Sequence, residues 1–158
     1  MLRTVSTPPN VMQLTQFTDL GLRVLMYLSY QQREQPVTIA EIAERFAISR
    51  NHLMKVVHAM AQQGWLATTR GKGGGLALAR APTEYRLGDI IRTLEDGGAL
   101  IDCSTPPCVL RRGCNVKSAL DGALAAFYAK LNESSLSDLV RRQTAASIVE
   151  LHRLGGHG

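Results

Sequence analysis

TIAEIAERFAISRNHLMKVVHAMAQQG, residues 38–64, sets two amphipathic runs on either side of a two-residue turn, Ala47-Ile48, and few folds accommodate that spacing. Ile39, Ile42, Ala43 and Phe46 share one face of the first run, and Leu53, Val56, Val57 and Met60 share one face of the second. Thr38 with Glu41 three residues on has the pattern of a capping box, Ser49 is placed to cap the second helix, and Gly64 ends it. Both runs are too short to stand alone, so each must bury its face against other elements. Residues 14–30 offer a third helix, with Phe17, Leu20, Val24 and Leu28 at helical spacing. After residue 64, WLATT and LALAR flank RGKGGG, which reads as a two-stranded hairpin with a glycine-rich tip. Helix, helix–turn–helix, hairpin is the order of a winged helix, the second and third helices forming the reading unit and the hairpin the wing.

The remainder divides simply. A fourth helix is expected over 87–94, a glycine- and proline-bearing loop over 97–114, a long helix over 115–131, and a last one over about 137–154. Residues 1–11 carry Pro8-Pro9 and no periodicity and read as a disordered extension, and 155–158 as a flexible tail. The expected fold is mainly α with a small β-hairpin wing: a winged helix-turn-helix over 12–96, then dimerisation helices over 115–154. Val116, Leu120, Leu124, Phe127 and Leu131 form an apolar stripe along the long helix, with Ala123 allowing close approach. A homodimer pairs that stripe with its copy; the plainer alternative packs it on its own domain. The longest apolar runs are too short to cross a bilayer and no charged-then-apolar leader opens the chain, so the expected location is cytoplasmic, with no membrane partner.

The net charge of +5 becomes informative once it is located. Arg50, Lys55, Arg70, Lys72, Arg80 and Arg86 face Glu84 alone within residues 49–86, while the rest of the chain balances twelve basic against twelve acidic residues. Concentration in one segment points to a polyanion, double-stranded DNA above all. On the polar face of the third helix, Arg50 and Asn51 stand in the first turn, where Arg suits guanine and Asn suits adenine, and Lys55 suits phosphate. Ser49 and His52 complete the contact set, and His58 reads as a solvated histidine. Arg70 and Lys72 at the hairpin tip are placed for phosphates or a narrow minor groove. RGKGGG is neither a P-loop, lacking GK[ST] after a four-residue spacer, nor a dinucleotide fingerprint, since Leu76 replaces the third glycine.

Cys103, Cys108 and Cys114 are all the cysteines of the chain, confined to CSTPPCVLRRGC. In a reducing compartment such a cluster signals metal or redox chemistry, not a disulfide scaffold. Structural zinc is a poor fit, because no second short-spaced pair exists and no histidine lies between residues 59 and 151. An iron–sulfur cluster tolerates looser loops, and a cubane on three thiolates leaves one iron for a different ligand. Pro106 and Pro107 stiffen the loop. Arg111 and Arg112 offset the charge of a thiolate-bound cluster, or form a solvated pair, or meet Asp102. Buried small hydrophobes are a weak account of cysteines in so polar a loop.

MQLTQFTDLGLRVLMYL, the SRNHLMKV run, RGKGGG and the three-cysteine loop ahead of a long helix resemble the iron–sulfur winged-helix repressors, over residues 12 to about 142. SRNHL and SLSDLV are most similar to the nitric-oxide-sensing branch of that family. The resemblance implies a cluster, 4Fe–4S or alternatively 2Fe–2S, on the three cysteines. The branch typified by IscR supplies a histidine three residues after the third cysteine; here that residue is Lys117, which cannot bind metal while protonated. For the nitric-oxide-sensing branch the implied fourth ligand is Asp19 of the partner subunit. The plainer reading of Asp19 is an exposed pair with Arg23, worth a few tenths of a kcal/mol, ~0.3.

The expected function is a repressor, not an enzyme, that reads near-palindromic half-sites as a homodimer and releases them in response to nitric oxide, controlling nitric-oxide detoxification genes. A second reading keeps the DNA module and assigns cluster supply, iron or redox state as the signal. A third is a cluster-bearing electron carrier, against which the basic helix–turn–helix stands.

Overall fold

The computed structural model describes residues 13–30 and 32–154. The extension expected at 1–11 and the tail expected at 155–158 lie outside the described residues. Thr15 opens α1 (Gln16–Leu28) by accepting the Thr18 N–H, and α2 (Ile39–Arg45) begins where the Thr38 hydroxyl accepts the Glu41 N–H at 3.1 Å. The reciprocal half of the expected capping box is missing. The Glu41 carboxylate turns instead to Arg33 at 2.6 Å and to the Tyr27 hydroxyl at 2.6 Å. A charge-assisted pair and a phenol in a half-buried site outcompete one local N–H.

α3 (Arg50–Gln62) follows a turn closed by the Ile48 N–H donating to the Ala43 carbonyl at 2.9 Å, with Ala47 at φ 51. Ser49 occupies the cap position, but its hydroxyl accepts none of the helix N–H groups, so the expected cap is not formed. The hairpin is present as β1 (Leu66–Thr68) and β2 (Leu76–Leu78), antiparallel with Ala67 opposite Ala77. Val37 bridges to Leu76 and ties the wing back to the segment before α2. At the tip the chain folds so tightly that a Cβ on Gly74 would stand 2.2 Å from the Thr69 carbonyl oxygen.

One core joins these pieces. Val24 and Leu25 of α1, Ile42 of α2, Leu53, Val56 and Met60 of α3, and Ile90 of α4 (Leu87–Leu94) are nearly or wholly buried in it. Each such side chain contributes about 1.5–3 kcal/mol relative to exposure. Tyr85 fastens the wing to α4: its hydroxyl donates to the Trp65 carbonyl at 2.7 Å and accepts the Arg80 N–H at 3.1 Å.

α5 (Asn115–Leu131) packs on α4, and its end comes close to that helix. Gly88 permits the approach, since a Cβ there would lie 2.3 Å from the Tyr128 carbonyl oxygen. Asp89 and Asn132 exchange hydrogen bonds at 2.9 and 3.0 Å beside it. Tyr128 is the buried side chain of α5; Val116 and Phe127 stay exposed and Leu120, Leu124 and Leu131 are half-buried. The last helix is two helices, not one. Ser135 and Asp138 cap a single turn, α6 (Leu136–Leu139), the chain breaks at Val140-Arg141 with Arg142 at φ 50, and α7 (Arg142–Arg153) follows. Leu136, wholly buried in the common core, fixes the first turn, while α7 leaves on its own line to lay Ile148 and His152 against the domain.

Candidate nucleic-acid interface and cysteine loop

The residues expected on DNA fall on one exposed side of the reading unit. Ser49, Arg50, Asn51, His52 and Lys55 are exposed, as are His58 and Gln62 on the next turns of α3. The opposite face of the helix, Leu53, Val56, Val57 and Met60, is at most 4% exposed, so α3 has the division a reading helix needs. With Ser49 not capping, the first-turn N–H groups of α3 keep no side-chain acceptor, and an anion such as phosphate is favoured there. Arg70 and Lys72 are both exposed at the wing tip. Met54, which sequence reasoning passed over, is 48% exposed among these polar residues. Its place outside the apolar period of α3 was the available signal.

The cysteine loop is built from turns. The Cys108 N–H donates to the Cys103 carbonyl at 3.1 Å, and the Arg111 N–H to the Cys108 carbonyl at 3.2 Å. Cys103 and Cys114 are half-buried, Cys108 is exposed, and all three are free thiols. Cys114 is the N-cap residue of α5, so its sulfur belongs to the positive end of a 17-residue helix. Asp102 is engaged by the Ser104 hydroxyl and N–H, which hold its carboxyl below the usual range. Arg111 and Arg112 are left without a carboxylate partner among the described salt bridges.

Soft thiolates, a helix N-terminus and two arginines fit an anionic cluster in donor chemistry and in charge. Among the described residues no three His, Cys, Asp or Glu side chains are gathered as a metal site. Lys117 is unsuited to ligation. Its hydrogen bond to Asp121 raises its pKa and keeps it protonated.

Asp19 lies in the first turn of α1 and pairs with Arg23 at 2.8 Å, the two side chains being 50% and 41% exposed. The structure thus brings Asp19 to Arg23 within its own chain, and to no cysteine. A residue the sequence did not point to connects this helix with the loop. The Glu95 carboxylate, at the end of α4 where the loop departs, accepts the Thr15 N–H at 2.7 Å and the Thr15 hydroxyl at 2.9 Å. Burial acts to raise the Glu95 carboxyl, but hydrogen bonds from Thr18 and Thr15 outweigh it and hold the group below the usual range. The stem of the cysteine loop is therefore fastened to the start of the helix that carries Asp19.

A family model described as Rrf2, an iron-dependent transcriptional regulator, matches residues 14–142. The HTH-type transcriptional regulator NsrR of Bacillus subtilis is 38% identical over 135 residues, covering 84% of this chain and 92% of the relative. Its namesake in Shouchella clausii is 37% identical over 132 residues, covering 82% and 89%. Among solved structures, CymR, the global cysteine regulator of B. subtilis, superposes with a TM-score of 0.66 at 25% identity, over 82% of this chain and 96% of that one. IscR of T. potens gives 0.65 at 26% identity, over 82% and 86%. These proteins are regulators, not enzymes. No helix of the described residues is long and apolar enough to cross a membrane.

Proposed function

The chain belongs to the Rrf2 family of transcriptional regulators, and from that premise we propose that it is a homodimeric repressor of nitric-oxide detoxification genes that senses nitric oxide through an iron–sulfur cluster. The observation that carries the reading is the Glu95–Thr15 tie, which fixes the stem of the cysteine loop to α1, while α1 packs on α3. Cys103, Cys108 and Cys114 are the ligands of one subunit and Asp19 of the partner subunit is the fourth. Bound there, a cluster, 4Fe–4S in the first instance and 2Fe–2S as the alternative, would supply redox-active iron that reacts with diatomics such as nitric oxide, and Asp19 would hold it by a harder, weaker ligand than a thiolate.

The chain's own residues do the rest. Arg111, Arg112 and the N-terminus of α5 offset the charge of the thiolates. Asp19, drawn from Arg23 to the partner's loop, holds α1 of one subunit against the loop of the other, and so fixes the spacing of the two α3 helices. Released, Asp19 returns to Arg23 and the two reading units are no longer held in register. The stripe Val116, Leu120, Leu124, Phe127 and Leu131 pairs with its copy. A two-fold dimer of this kind reads near-palindromic half-sites about one helical turn, or a multiple of it, apart. Within each half-site Ser49, Arg50, Asn51, His52 and Lys55 meet the major groove, and Arg70 and Lys72 the flanking backbone or minor groove.

The test is anaerobic purification followed by DNA gel-shift, with nitric oxide titrated against cluster absorbance. Release of DNA in step with the absorbance change supports the reading; release that ignores it refutes nitric-oxide sensing. The family's description as iron-dependent favours one second reading, in which iron or cluster supply is the signal. In that case chelation of iron frees the promoter at doses of nitric oxide that leave the complex intact.

A further inference from the structure

Between residues 16 and 96, among the described residues, Met54 is the large hydrophobic side chain that remains exposed. The others so exposed lie at Leu14, in the cysteine loop, along α5 and at Leu154. A lone exposed apolar residue is ordinary on a protein surface. What distinguishes Met54 is its position. It follows Arg50 by four residues and Asn51 by three, which stacks it on the same face of α3, and Lys55 adjoins it. The core-facing side of α3 is occupied by Leu53, Val56, Val57 and Met60, and Met54 stands outside that core cluster with about half of its surface exposed.

On the major-groove edge of DNA the C5 methyl of thymine is the apolar feature of a base pair. Arginine, asparagine and lysine find hydrogen-bond partners on thymine O4, but uracil offers the same oxygen, so none of them registers the methyl. An unbranched thioether can, and it adapts to the step it meets. We propose that Met54 reads a thymine methyl in each half-site, beside the base met by Arg50 or Asn51. This rests on the assignment of α3 as the reading helix and adds to it a specificity determinant that hydrogen bonding cannot provide.

The experiment uses the full chain purified anaerobically and an operator enriched by that protein from a pool of random duplexes. Each thymine of the enriched site is then replaced in turn by deoxyuridine. One thymine per half-site should cost the wild-type protein about four-fold in affinity when its methyl is removed, the transfer of one methyl group at ~0.8 kcal/mol. Met54→Ala and the polar isostere Met54→Gln should bind the site yet lose nothing at that thymine, while Asn51→Ala keeps the penalty. A penalty of the same size in wild type and Met54→Ala, or no sensitive thymine in wild type, overturns the role of Met54 and leaves DNA reading intact. Failure to enrich any sequence removes both.

Discussion

In residues 16–94 the apolar side chains of four helices and a hairpin meet in one core, whereas residues 97–131 bury a single large side chain, Tyr128. The reading half is closed: its wing and its turn are tied to its own backbone. The loop and long helix are open, with Val109 at 96% exposure, Val116 mostly and Phe127 partly exposed, and three thiols free. The first half is held by its own core; the second leaves an apolar stripe partly uncovered and three thiols free, as the proposed dimer along α5 and the proposed cluster in the loop require. That difference suits the proposed sensing role, in which the part that changes state is the part that the core does not hold.

The sharpest way to break the comparison is to damage each half in turn. Leu53→Ala removes a fully buried side chain from the closed half and should lower unfolding free energy by about 2–5 kcal/mol in urea titration. Val116→Asp, on a residue 62% exposed, should leave the urea transition of the dilute chain within about 0.5 kcal/mol. It should instead shift sedimentation from dimer to monomer. A dimer that survives this change would show that the stripe is not the assembly face.

Within the open half, Cys108→Ala should abolish bound iron and sulfide with no change in far-ultraviolet circular dichroism, because Cys108 is exposed and no packing is lost. Specific DNA affinity should fall towards the non-specific level. Full retention of iron and sulfide would remove Cys108 from the ligand set.

Asp19 tests whether the two halves communicate across subunits. Asp19→Ala should still assemble a cluster on three cysteines, with altered response to nitric oxide and weaker specific binding. A mixed dimer sharpens this, with Asp19→Ala on one chain and all three cysteines replaced by alanine on the other. The chain that keeps its cysteines then faces a partner with intact Asp19, so its spectrum should match wild type. A spectrum like that of the Asp19→Ala homodimer means that the ligand acts within one chain or not at all.

The closed half was also the legible half. Periodicity placed α1, α3 and α4 because helix faces are local properties, and the winged-helix order followed from three adjacent patterns. What the pattern could not supply was long-range competition. Glu41 looked like a capping partner until Arg33 and Tyr27 claimed it, and Glu95 looked unremarkable because Thr15 lies 80 residues away. The single terminal helix was expected for the same reason: nothing local reveals that Leu136 is held in a core while α7 leaves at a new angle. For the cysteine loop the sequence spoke through composition, and its turns carry no period to read.

The smallest expected effect lies where α7, which starts at the residue where the family match ends, is laid on the closed half. His152 stacks on Tyr27 with ring centroids 3.9 Å apart, and Tyr30 flanks it at 4.6 Å. Its Nε2–H donates to the Tyr27 carbonyl at 3.0 Å and its Nδ1 accepts from Arg33 at 2.8 Å, an arrangement that needs the neutral ring. Burial pushes the imidazole below its ordinary value, and Arg33 and Arg45 push it further, against the Tyr27 carbonyl and Glu41. The docked state therefore takes up its proton at lower pH than the free helix does. Docking is unaffected above about pH 6.5, the ordinary imidazole value, and weakens as pH falls below it because the undocked state binds more protons. Corrected for its intrinsic pH dependence, amide exchange in residues 148–153 should accelerate between about pH 6.5 and 5 while corrected exchange in α3 stays constant. His152→Gln, which keeps hydrogen-bonding capacity without titrating, should flatten that dependence. The same acceleration in His152→Gln would assign it to another group and leave α7 as firmly part of the closed half as Leu53.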